Sequence, residues 1–156
     1  MSKAFTSEET PDEGPLTRAA PRLAPGEVRY VTPEGQASLR RALEAARAAR
    51  TPEGNARAAL LEATLQVLTV HGPAGAPAGE AAFARWVTVE DQDGRRTTWR
   101  LVGPDEADAR RGLLSAHAPL GRALLGCRAG DEVELPRPEG ARRLTVVAVS
   151  EAAPAG

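Results

Sequence analysis

The sequence predicts an α+β protein: an N-terminal short antiparallel helical hairpin, then an antiparallel sheet carrying one short helix. Three observations lead there. Leucine and alanine recur at helical spacing between Thr32 and Val70. From Phe83 onward the apolar period falls to two. Between the two patterns lies HGPAGAPAG at 71–79, whose glycines and prolines exclude both helix and central strand.

Taken in order, Met1 to Gly26 holds Pro11, Pro15, Pro21 and Pro25 among acids and alanines, with no apolar periodicity. A disordered or extended leader is expected there. Tyr30 and Val31 are where the chain first meets the fold. Thr32 can cap a helix running to Arg50, with Pro33 at its first position and Gly35 as its weak point. Leu39, Leu43, Ala46 and Arg50 are spaced as a heptad seam, and Arg40, Arg41, Arg47 and Arg50 occupy or flank the outer face. Thr51-Pro52-Glu53-Gly54-Asn55 signals a break. A second helix is expected from Ala56 to Val70, with Leu61, Leu65 and Leu68 as its stripe, widened by Leu60 and Val67. Two such arms pack as an antiparallel hairpin, each roughly 25 Å long.

In the second half, Val87 and Val89 alternate with Thr88 and Glu90, Asp93-Gly94 turns the chain, and Thr97 to Val102 returns. Trp99 and Leu101 are expected on the face opposite Arg100 and Val102. Gly103-Pro104 turns into an acidic loop of Asp105, Glu106 and Asp108, and Leu113-Leu114 reads as a short strand. Pro119 opens a helix with Leu120, Leu124 and Leu125 as its apolar stripe, closed by Gly126 in a left-handed conformation. Asp131 to Leu135 and Arg142 to Val149 are the last strands, about a Pro138-Glu139-Gly140 turn. The expected division is a leader at 1–26, a hairpin at 27–70, a linker at 71–80, a sheet domain at 81–151 and a tail at 152–156.

Composition narrows the function. A net charge of −1 over 156 residues argues against a chain dominated by nucleic-acid or membrane attraction. Cys127 is the one cysteine, so no intrachain disulfide forms and a reducing compartment is expected. With His71 and His117 as the two histidines, a zinc site lacks ligands, and no metal or cofactor is expected. No apolar run reaches membrane-spanning length and MSKAFTSEET lacks a secretory core, so a cytoplasmic protein is expected. No catalytic constellation stands out, and an accessory binding protein is expected in place of an enzyme.

Six words of the sequence, in order, resemble the Gre transcript-cleavage factors of bacterial RNA polymerase, and their GreB-like branch more closely. They are MSKAFT at the start, YVTPEG at 30–35, WVTVEDQDG at 86–94, RLVGPDEAD at 100–108, PLGRALLG at 119–126 and AGDEVEL at 129–135. The resemblance implies a coiled-coil hairpin followed by an FKBP-like domain. That domain docks on the rim of the polymerase secondary channel while the hairpin enters the channel. In cleaving members two tip carboxylates help hold a catalytic magnesium ion, a hard cation that prefers oxygen ligands. Prolyl isomerases of FKBP-like fold line their sites with aromatics, which make up 3% of this chain, so isomerase activity is not expected.

This chain departs from that pattern at the tip. Aligned on Glu53-Gly54-Asn55-Ala56, the two acidic positions hold Thr51 and Gly54, and Glu53 is out of register. Each arm is shorter than the family pattern by roughly two heptads, which withdraws the tip by on the order of 20 Å. A second departure is His117-Ala118-Pro119 where the family carries Asp-Ser-Pro. The residues expected to dock on polymerase are Asp105, Glu106, Asp108, His117, Pro119 and Arg122. Those forming the tip are Thr51, Glu53, Gly54 and Asn55. Arg40, Arg41, Arg47, Arg50 and Arg57 are expected toward nascent RNA or nucleotide phosphate.

The expected function is therefore a Gre-like elongation factor that occupies the secondary channel without stimulating cleavage. One alternative is a weakly active cleavage factor working through Glu53 and a polymerase-held magnesium ion. The other is a regulator that binds a different protein through its sheet domain.

Overall fold

The computed structural model describes residues 21–154. Of the leader expected at 1–26, residues 1–20 lie outside the described residues. The chain divides between Val70 and His71 into two compact units.

The first unit is built from β1 (Arg29–Val31), α1 (Pro33–Ala49), α2 (Pro52–Val67) and β2 (Leu68–Val70). Thr32 caps α1 as expected, its Oγ1 accepting the Gly35 amide at 3.0 Å, with Pro33 behind it. Leu39, Leu43 and Ala46 of α1 are buried against Ala58 and Leu61 of α2, with Val31 beneath. Thr64, also buried, satisfies its hydroxyl by donating to the Leu60 carbonyl at 2.9 Å.

Three expectations need correction here. Arg50 does not continue the seam: it is exposed and left-handed at φ 52° and ψ 44°, closing α1. The second helix begins at Pro52, not Ala56, because Thr51 caps it at once. It also ends at Val67, since Leu68 to Val70 pair in parallel with Arg29 to Val31. The β-branched pair Thr69 and Val70 gains a strand partner that periodicity alone did not reveal.

The second unit holds β3 (Trp86–Glu90), β4 (Arg96–Val102), β5 (Leu113–Ser115), α3 (Pro119–Leu124), β6 (Glu132–Leu135) and β7 (Arg142–Ser150). The strands form one sheet in the order β5-β4-β3-β7-β6. Its pairings are antiparallel except β4 with β5, so the sheet is mixed. That parallel pairing follows from the loop after Val102, which carries the chain back alongside Arg100 before β5 begins. Val87, Val89, Leu101, Leu144 and Val146 make the core with Leu124 of α3. Arg100, expected outside, is buried: its Nε donates to the Ala84 carbonyl at 2.9 Å and its guanidinium lies 5.5 Å from the Trp86 ring centre. Leu125, expected in the apolar stripe, is exposed, while Gly126 turns left-handed at φ 87° as expected.

The run at 71–80, expected as a linker, is wound around one side chain. Arg85 is 1% exposed. Its Nε donates to Pro73 O at 2.9 Å, Nη1 to Pro77 O and Glu80 O at 2.6 and 2.9 Å, and Nη2 to Ala76 O at 2.8 Å. The remaining Nη2 donor faces the Glu151 carboxylate at 3.3 Å. All five guanidinium donors therefore have acceptors. A segment with little apolar content is held by a cation on its carbonyls.

Two stability outcomes follow. Arg50→Gly relieves the left-handed strain and should raise hairpin stability by about 1 kcal/mol, read by denaturant unfolding. Arg85→Met takes the side-chain donor from the Pro73, Ala76 and Glu80 carbonyls and should cost about 3 kcal/mol or more in the same assay.

Candidate functional site: the hairpin tip and the loop after the fourth strand

At the tip the chain reverses in two residues. Arg50 closes α1 with its amide on the Arg47 carbonyl at 3.3 Å. Thr51 is extended, and its Oγ1 accepts the Gly54 amide at 2.9 Å, opening α2. So short a turn brings the first turn of α2 onto the last turn of α1. Gly54 is buried there, and a Cβ on it would sit 2.6 Å from the Ala46 carbonyl oxygen and 3.1 Å from the Ala49 Cβ. Only glycine fits.

The two positions that the resemblance makes acidic are thus a capping threonine and an obligatory glycine. Glu53 and Asn55 beside them are exposed. Glu53 lies in the first turn of α2, where a negative charge suits the helix dipole. The arms of 17 and 16 residues correspond to about 25 Å each.

Arg40, Arg41, Arg47, Arg50 and Arg57 are all exposed. Arg47 is tied across the hairpin to Glu62 and lies 3.8 Å from Glu44, so part of its charge is already neutralised. Arg41 donates to Ser38 Oγ at 3.1 Å.

In the second unit, the loop from Gly103 to Ala118 is shaped from within. Asp105 is 4% exposed and so is part of the loop's interior, contrary to its expected place on a contact surface. Glu106 folds back to accept the Gly103 amide at 2.9 Å. Asp108 caps a single 3-10 turn, Ala109–Arg111, by accepting the Arg110 amide at 3.1 Å. Glu106 and Asp108 remain half-buried. His117 and Pro119 are exposed on the connection into α3, and Arg122 is exposed one turn further on. His117 N–H donates to Ser115 Oγ at 3.0 Å.

Gly121 fixes α3 above this connection. A Cβ there would lie 2.1 Å from the Ser115 carbonyl oxygen. The Cys127 thiol bonds the Ala123 carbonyl at 3.3 Å, and burial pushes its pKa up, away from thiolate chemistry. Sequence reading missed both close glycine contacts and the Arg85 clasp. A glycine three residues after a capping threonine was the available signal for the first.

The architecture is thus a helical hairpin and a curled mixed sheet with one short helix, and among the described residues no three His, Cys, Asp or Glu side chains group as a metal site. Residues 76–151 match the family described as transcription elongation factor GreA/GreB, C-terminal. A transcription elongation factor GreB from Pseudomonas aeruginosa is 38% identical over 97 residues, 62% of this chain and 58% of that protein. A transcription elongation factor GreA from Verminephrobacter eiseniae is 40% identical over 92 residues, 58% of each chain. A solved GreA/GreB structure from Nitrosomonas europaea aligns over 80% of this chain and 98% of that one, at 27% identity and a TM-score of 0.44. Residues 76–151 thus carry the GreA/GreB C-terminal domain, and the curated matches support a Gre transcription elongation factor family. Relatives of both names match, so the GreB-like branch is not singled out, and the matches span under two thirds of each curated relative.

The tip geometry sets an expected outcome. Gly54→Asp should destabilise the hairpin by about 2 kcal/mol or more, because its Cβ meets backbone. Thr51→Asp, which keeps a capping oxygen, should stay within about 0.5 kcal/mol of the parent chain. Thermal unfolding of both variants checks this.

Proposed function

We propose that the chain binds RNA polymerase at its secondary channel and regulates transcription elongation without stimulating transcript cleavage. The C-terminal unit docks on the channel rim through Glu106, Asp108, His117, Pro119 and Arg122. The hairpin occupies part of the channel, with Arg40, Arg41, Arg50 and Arg57 toward the phosphates of nascent RNA. Arg47 contributes less, being held by Glu62. The chain works in the cytoplasm and needs no cofactor of its own.

One observation carries the non-cleaving part: the tip has no room for the second carboxylate. A magnesium ion held jointly with the polymerase needs oxygen ligands from the hairpin. Gly54 cannot be exchanged for an acid without breaking the helix contact, and Thr51 has its oxygen on a backbone amide. The arms are also about two heptads short of the family pattern, so the tip stops short of the metal.

A second reading rests on Glu53, which is exposed in the first turn of α2. It makes the chain a weak cleavage factor.

The expected result is co-migration with core RNA polymerase in gel filtration and no shortening of RNA in a backtracked complex. Excess chain should also slow the shortening produced by a cleaving Gre factor. Magnesium-dependent shortening that disappears in Glu53→Ala would establish the second reading. Failure to co-migrate at low salt would remove polymerase as the partner.

A further inference from the structure

The first unit leaves one apolar face in the open. Val28 is 48% exposed and Tyr30 39%, two of the four exposed large apolar side chains among the described residues. Their spacing puts both on one side of an extended chain, opposite the buried Val31. Thr69, which pairs with Tyr30 across the sheet and is exposed, continues that face.

The chain reaches this face through a sharp reversal. Ala24-Pro25-Gly26-Glu27 closes with the Glu27 amide on the Ala24 carbonyl at 2.9 Å, and the Glu27 carboxylate accepts the Ala24 amide at 2.8 Å. Pro25 followed by a left-handed Gly26, at φ 82°, is the residue pair of a type II turn. The turn directs whatever precedes Ala24 back toward Val28 and Tyr30. Pro21 and Leu23 are half-buried with exposed Arg22 between them, so the chain arriving at Pro21 already lies on protein.

Residues 1–20 have the chemistry to cover this face. They carry Phe5 and Leu16, with Glu8, Glu9, Asp12 and Glu13 between, and these acids outnumber Lys3 and Arg18. Along α1, Arg40 and Arg41 are exposed and make no ion pair with the described residues. They lie about 10–12 Å up the helix from Pro33. Extended chain from Pro21 to Glu13 spans up to about 26 Å, so the acids reach both. Single surface ion pairs are weak, but a tethered segment acts at an effective concentration on the order of millimolar, and weak contacts then suffice.

We propose that residues 1–20 fold back on the first unit, Phe5 and Leu16 covering Val28 and Tyr30 while Glu8, Glu9, Asp12 and Glu13 lie against Arg40 and Arg41. The segment is then a built-in competitor for the phosphates those arginines meet. The competition, unlike the fold-back, rests on the RNA reading above.

The test uses the full-length chain, isotopically labelled. Nuclear Overhauser contacts are expected from Phe5 and Leu16 to Val28 and Tyr30, and the Val28 and Tyr30 signals should shift in Phe5→Ser/Leu16→Ser. A single-stranded RNA oligonucleotide is then titrated by fluorescence anisotropy at low and high salt. Glu8→Gln/Glu9→Gln/Asp12→Asn/Glu13→Gln should bind it about three-fold or more tighter at low salt, with the gap closing at high salt. Phe5→Ser/Leu16→Ser leaves the charge unchanged and should tighten binding too. Absence of the contacts and shifts overturns the fold-back. Contacts found only between differently labelled copies assign the face to self-association and overturn it equally. Tightening confined to the charge variant reflects net charge alone and overturns the competition. If neither the parent nor any variant binds RNA, the phosphate reading of Arg40 and Arg41 fails, and the contacts alone decide the fold-back.

Discussion

Backbone laid directly on backbone, with no side chain between, sets the geometry of both units. In the hairpin the contact is Gly54 on the Ala46 carbonyl. In the sheet unit it is Gly121 on the Ser115 carbonyl. Each glycine lies in the first turn of a helix opened by proline, so each fixes where a helix begins relative to the element before it. The first contact permits a two-residue tip, and the second holds α3 over the connection that carries His117. Since a Cβ at either place meets a carbonyl oxygen, neither position is open to a functional side chain.

That constraint joins fold to function at the tip. A longer turn would separate the helices and leave space for acids, but it would also lose the cap that Thr51 supplies. The short turn keeps the hairpin compact with a core of Leu39, Leu43, Ala46, Ala58 and Leu61. Compactness and a two-carboxylate tip are therefore competing uses of the same residues.

The C-terminal unit solves a different problem. Its entry segment is rich in glycine, alanine and proline and has little to bury, so hydrophobic packing cannot order it. Arg85 substitutes hydrogen bonds for packing by placing five donors among carbonyls and one carboxylate. A buried guanidinium is tolerable only because every donor is matched and Glu151 balances the charge.

Much of this was legible in the residues. Period 3.6 before the Gly/Pro run and period 2 after it gave the α+β order, because each element must bury one face. Thr32-Pro33, Asp93-Gly94 and Pro119 marked their turns and caps by local chemistry. That Thr51 and Gly54 stand at the two tip positions was readable once the resemblance had supplied the alignment. Tertiary structure alone decided four things: the parallel pairing of β1 with β2, the parallel edge of the sheet, the inward burial of Asp105 and Arg100, and the role of Arg85. Each depends on a partner distant in sequence or on backbone carbonyls, and neither leaves a periodic mark on the chain. Local propensity determines where a helix or strand can form, but only the assembled backbone decides which polar groups it encloses.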